Sequence, residues 1–265
     1  RARASAEAWL LGRFLCPASL LGELAGSPLP LGVVSDGAAA APPQGWLEAV
    51  DADLRTIAGS GAETVEVLEL RLPQSAPPAE LLAACEQRVE AALGGRVQRF
   101  YEVPIGPGWR ETIPAAIEAI AATGAGAKIR CGGPVAEAFP APEQVACLVH
   151  ACRRQGVRFK ATAGLHDPIR HRDGASGVAQ HGFLNLLAAA VFAHAEDLPE
   201  AELTALLAEE RPERFAVTPA ALEVGGLAAG AEAIARARAE LFVGYGSCSF
   251  AEPVDQLRAL GMLPA

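Results

Sequence analysis

Seven short apolar runs rich in Val, Leu and Phe alternate with Ala-rich stretches of helical period, and this alternation constrains the fold more than any other feature of the chain. Parallel strands need long crossovers, usually helical, so repeated strand-helix units predict a parallel sheet covered by helices. Strands are expected at 9–17, 31–37, 64–73, 97–105, 127–133, 157–164 and 241–250. Helices are expected at 43–59, 78–93, 110–124, 141–156, 178–195 and 252–263, with Pro near their starts and Gly near their ends. A strand-to-strand spacing of about 25 to 35 residues suits β-α repeats. The fold class read from this is α/β, a (β/α)8 TIM-type barrel forming a single domain over 1–265. Seven strands are one short of closure. Either RFAVT (214–218) supplies the eighth, or the first barrel strand lies upstream; the helix-like start at Arg1 favours the second.

The irregular part is 166–240, longer than any other connection. It opens with the polar segment LHDPIRHRDGASG, continues into two helices, and ends in FAVTPAALEVGGLAAG, which reads as a loop or small hairpin. Long connections after the carboxyl end of a strand are where lids and ligand contacts gather, so 166–240 is expected to be an insertion or lid. The Ala/Gly/Pro tract at 38–45 reads as a plain loop.

A formal charge of -9 with no Lys/Arg run longer than Arg153-Arg154 argues against nucleic acid as a partner, which would call for a dense basic stripe. No apolar run approaches the ~18 residues of a membrane span, and the first residues lack a secretory signal, so a cytoplasmic protein without membrane contact is expected. The six cysteines form no Cys-x-x-Cys pair and no zinc-like cluster, which fits reduced thiols. Cys147 and Cys152 fit buried positions on a helix. Cys248, in GSCSF, fits packing better than reactivity.

The chain has only two lysines against 20 arginines, Lys128 in AKIRCGG and Lys160 in VRFKATAG. Alternation puts Lys128 and Arg130 on one side opposite Ile129, and Arg158, Lys160 and Thr162 opposite Val157 and Phe159. The same test pairs Glu69 with Arg71 and puts Glu102 near the end of its strand, so two carboxylates and two amines are expected at one barrel mouth. A satisfied ion-pair network would also place charges there. Arginine serves an ion pair at least as well as lysine but stays protonated, so retained lysines point to chemistry that needs a neutral amine. A neighbouring cation would lower the pKa of such an amine, letting it form a Schiff base while Glu69 or Glu102 relays protons.

In that order of parts the chain resembles the 2-deoxyribose-5-phosphate aldolases and their class I aldolase relatives. Those barrels carry Lys-Thr-Ser-Thr-Gly on the sixth strand, Lys-Ala-x-Gly-Gly on the seventh and Gly-x-Ser-Ser on the eighth; here KIRCGG, KATAGL and GYGSCS follow the same sequence. The resemblance spans roughly 60–165 and 240–250. It implies that Lys128 is the Schiff-base lysine, Lys160 its pKa-lowering partner, and Ala163-Gly164 with Gly246, Ser247 and Ser249 a phosphate cradle. The family's acid, in a Val-Asp-Val context, is matched by Glu66 in VEV, although alternation favours Glu69. Ile129, Arg130 and Cys131 replace the family's small hydroxyl residues, and Arg130 is placed to fill the substrate position or bind a carboxylate.

The expected function is therefore a Schiff-base lyase acting on a small carbonyl compound carrying phosphate or carboxylate. Its catalytic residues would be Lys128, Lys160, Glu69 and Glu102. Arg130, Arg158, Thr162, Gly164, His166, Gly246, Ser247 and Ser249 would bind substrate. No cofactor is expected, the glycines around Lys128 being no dinucleotide fingerprint, and a homo-oligomer is compatible with the sequence. A metal-assisted lyase or isomerase using Glu69, Glu102 and His166, Asp167, His171 or His181 is the alternative enzyme, although the spacing matches no metal motif. A non-catalytic anion-binding barrel is the alternative outside enzymes. In the loop itself, Asp167 reads as a cap among surface histidines. His150 and His194 read as surface or satisfied core residues.

Overall fold

Each of the seven apolar runs forms a strand, and each strand is shorter than its run. The computed structural model describes residues 2–61, 64–74 and 78–263. The chain divides into two units, one over Gly12–Lys128 and one made of the first eleven residues with Ile129 onward.

In the first unit β1 (Phe14–Pro17), β2 (Leu31–Val34), β3 (Val65–Arg71), β4 (Gln98–Glu102) and the start of β5 (Gly126–Arg130) pair in chain order, all parallel. A 3-10 segment, 18–24, follows β1. The helices α1 (Asp36–Ala40), α2 (Trp46–Gly59), α3 (Ala79–Leu93) and α4 (Trp109–Ala121) supply the other connections. α2 buries Trp46, Val50, Leu54 and Ile57, one stripe at helical spacing. β3 buries Val67, Leu68 and Leu70 on successive faces, as a strand covered on both sides must. The tract at 38–45 is not a plain loop: α1 and a 3-10 turn at 43–45 occupy most of it, with the Asp53 carboxylate accepting from Ser35 Oγ (2.6 Å) and Ala38 N (3.0 Å).

The second unit contains α5 (Pro142–Gln155), β6 (Phe159–Thr162), the two-residue strands β7 (His171–Arg172) and β8 (Ala179–Gln180), α6 (Phe183–Glu196) and α7 (Glu200–Ala208). It continues through β9 (Phe215–Val217), β10 (Ala221–Val224), β11 (Leu227–Gly230), α8 (Ala231–Glu240), β12 (Phe242–Gly246) and α9 (Ala251–Ala259). α5 shows the expected capping: Pro142 opens it, Gln144 accepts from Ala141 N at 2.7 Å, and Gly156 closes it in the left-handed region at φ +65°. β6 pairs in parallel with β12. Within each unit the sheet strands keep chain order, β1-β2-β3-β4-β5 in the first and β6-β12 in the second.

RFAVT is not an eighth strand of this sheet. It forms β9 in a separate antiparallel sheet of order β11-β10-β9, and the stretch expected to be a loop or hairpin supplies the other two strands. The chain's start forms 3-10 turns at 2–4 and 8–10 rather than a helix tail, Arg1 itself lying outside the described residues. The region 166–240 has its own apolar core, in which Phe183, Leu184, Val191 and Phe192 of α6 meet Leu206, Phe215, Leu222 and Val224. α6 is apolar nearly all round and accordingly buried. Among the described residues no helix is long and apolar enough to cross a membrane.

Candidate functional site

The carboxyl ends of β3, β4 and β5 assemble a charged cluster within the first unit. Parallel register sets Arg71 opposite Glu102 and Glu102 opposite Lys128, so three charges of alternating sign form one row across three strands. Glu69 lies two residues before Arg71 and therefore shares its face. Lys128 Nζ is 2.6 Å from Glu69 Oε2 and 2.9 Å from Glu102 Oε2, while Arg71 Nε reaches Glu102 Oε1 at 3.5 Å. Glu69, Glu102 and Lys128 are 1%, 5% and 4% exposed, whereas the Arg71 side chain is half exposed. Trp46 of α2 holds the end of β3 by donating its indole N–H to Arg71 O at 2.8 Å.

Two carboxylates and two cations make the cluster formally neutral, which meets the requirement that buried charges be paired. Burial alone lowers the pKa of the Lys128 ammonium. The Coulombic pull of Glu69 and Glu102 and the hydrogen bonds to both outweigh it, so the pKa stands above the ordinary 10.5. The lowered pKa expected from a neighbouring cation is thus corrected: Lys128 is held as an ammonium by the two acids beside it, and a base must remove its proton before it can act as a nucleophile. Alternation separates Glu69 from Glu66 correctly, since Glu66 forms an exposed ion pair with Arg13 at 2.7 Å.

The second unit holds the other expected residues. Lys160 is half-buried on β6 and stands opposite Gly244 of β12. Thr162 is buried at the strand's end; its carbonyl accepts from Cys131 N at 2.8 Å, and its hydroxyl has no hydrogen-bond partner among the described residues. Arg158 precedes β6 at the amino end and is exposed. Arg130 is exposed and donates to Gly132 O at 2.7 Å. After Thr162 the chain makes a strained turn: Ala163 has φ +63°, rare for a residue with a side chain, and Gly164 has φ +67°. A Cβ on Gly132 would lie 2.8 Å from Gly164 Cα, so the chain segments after β5 and β6 touch only because both residues are glycine.

Buried Leu165 follows, and His166 is then held by Glu252 of α9, Nδ1 to Oε2 at 2.6 Å, with Cys248 Sγ at 3.5 Å from Nε2. His171 pairs with Asp167 at 3.2 Å. His181 belongs to the interior and not to the loop surface: it is fully buried, its Nε2 lies 2.8 Å from Pro140 O, and burial pushes its pKa down to about 4. Half-buried His194 pairs with Glu240. Near Gly246, the Ser247 and Ser249 hydroxyls accept from the amides of Ser249 (3.4 Å) and Glu252 (3.2 Å).

Five of the six cysteines are buried, as expected for Cys147 and Cys152, and burial pushes the Cys85 and Cys131 thiols up to about 12. Cys248 is exposed, so packing is not its role. Among the described residues no group of three His, Cys, Asp or Glu side chains is placed to share a metal ion. The partnership of His166 with Glu252 and Cys248 had no sequence signal, since the residues stand 86 and 82 positions apart. No family model matches the chain, and no curated protein matches it.

Proposed function

We propose that the chain is a Schiff-base lyase on a (β/α) barrel scaffold, with Lys128 as the nucleophilic amine and a small carbonyl compound as substrate. The observation that carries this reading is a lysine, buried at the carboxyl ends of parallel strands, within proton-transfer distance of two buried carboxylates. The consecutive order of β1 to β5 in the first unit supports the scaffold: barrels are wound in one direction, whereas doubly wound sheets reverse.

The chemistry follows from the pairing. Away from water, a neutral amine beside a carboxylic acid competes with the ion pair, because separated charges are poorly solvated there. Substrate entry that displaces water moves the Lys128 proton to Glu69, 2.6 Å away. The free amine attacks the carbonyl, and Glu102, oriented by Arg71, exchanges protons with the carbinolamine oxygen so that water leaves and the imine forms. The protonated imine accepts the electron pair released when a carboxylate of the cluster takes the β-hydroxyl proton and the carbon-carbon bond breaks. One fragment leaves as a carbonyl compound, and the enamine left on Lys128 is protonated and hydrolysed by water to release the second fragment and the amine. Phosphate or carboxylate on the substrate would be held by cations and hydroxyls outside this trio.

Cleavage of a β-hydroxycarbonyl panel should be lost by at least ~1000-fold in Lys128→Arg, which keeps the charge but cannot form the imine, and reduced by about 100-fold in Glu102→Gln. Full activity in Lys128→Arg would refute the reading and favour an anion-binding or structural cluster.

A further inference from the structure

Cys248, His166 and Glu252 all belong to the second unit and lie outside the Lys128 cluster. We propose that they form a second reactive centre, a nucleophilic thiol with its base and orienting carboxylate, that takes acyl groups from thioesters or activated esters. Three independent observations meet here. Cys248 is the one exposed thiol among the six cysteines. Its Sγ is 3.5 Å from His166 Nε2, and His166 Nδ1 is 2.6 Å from Glu252 Oε2, so each ring nitrogen has the partner that a nucleophile–base–acid relay requires. His166 is delivered by the turn in which Ala163 is held at φ +63°, and backbone strain of that kind gathers at working sites.

The pairing fixes the tautomer. With Nδ1–H donated to Glu252, Nε2 is free to take the thiol proton. The thiolate attacks the acyl carbonyl; the leaving thiolate or alkoxide departs with the proton from His166, and Cys248 carries the acyl group as a thioester. Water, deprotonated by His166, then releases the carboxylic acid and restores the thiol. Only water is needed as co-reactant. The preference for good leaving groups follows from the surroundings: the amides of Ser249 and Glu252 are occupied by serine hydroxyls and do not serve a developing oxyanion, so unactivated amides are outside its reach.

The test is p-nitrophenyl acetate at pH 7, with nitrophenolate release followed by stopped flow and acetylated peptides mapped by mass spectrometry. The expected result is a burst of about one equivalent with acetyl on Cys248, slowed about 100-fold in His166→Asn and partly restored by free imidazole, with a smaller loss in Glu252→Gln. Acetylation of Cys248 at an unchanged rate in His166→Asn, or none on Cys248 in the unsubstituted protein, would overturn the proposal. All three side chains are accessible on one surface, so the substitutions do not disturb the core, and the outcome is independent of whether Lys128 forms an imine.

Discussion

Lys128 sits where a positive charge is hardest to keep, and it is kept by two acids that are themselves buried. Removing the amine therefore exposes the cost of both carboxylates. Lys128→Met should lose about 3–5 kcal/mol in urea unfolding at pH 7, and adding Glu69→Gln should recover part of that by removing one stranded charge. A loss below about 1 kcal/mol would mean that water reaches the cluster freely. The same proximity that stabilises the ammonium supplies its base, so the raised pKa and the proposed nucleophilic role are compatible: the proton has a place to go 2.6 Å away. Arginine in this position would satisfy the ion pair and forfeit the chemistry.

At the scale of elements, the segment entering α6 is pinned by hydrogen bonds that have no part in the proposed reactions. Asn185 accepts from Arg170 N at 2.8 Å and donates to the carbonyls of Leu206 and Glu209 at 2.9 and 2.8 Å. A Cβ on Gly182 would collide with Pro168 O and Ile169 C, so this crossing is open only to glycine. His181 between them is neutral when folded. Its pKa, pushed down to about 4 by burial, means that the folded chain refuses a proton which the unfolded chain accepts near 6.5. Stability is thus fully present above about pH 6.5 and falls as the pH is lowered toward 4, by roughly 3 kcal/mol for this residue. His181→Gln, which can still donate to Pro140 O, should flatten that part of the stability–pH curve measured by thermal unfolding. An unchanged slope would assign acid sensitivity elsewhere.

Over the whole molecule, what was legible in the sequence is what is local and periodic. A period of two on β3, β4 and β5 separated Glu69 from Glu66 and put Glu69, Glu102 and Lys128 on one face, because side-chain alternation is fixed by the strand itself. Periodicity located the sheet strands but left 214–230 open between strand, loop and small hairpin, since three- and four-residue strands hold too little of any pattern to distinguish them from loop. It also missed the direction of the Lys128 shift, which depends on how near two acids from other strands come. The pairing of Cys248 and Glu252 with His166 depends on chain segments more than 80 residues apart and has no local trace. The scarcity of lysine makes imine formation easy to read out. Incubation with a panel of small aldehydes and ketones under borohydride should leave one reduced adduct, mapped by peptide mass spectrometry to Lys128, one of only two lysines in the chain. No adduct at Lys128 across phosphorylated and carboxylated carbonyls, with the protein folded, would contradict imine chemistry and leave the Glu69-Lys128-Glu102 cluster as a structural ion-pair network.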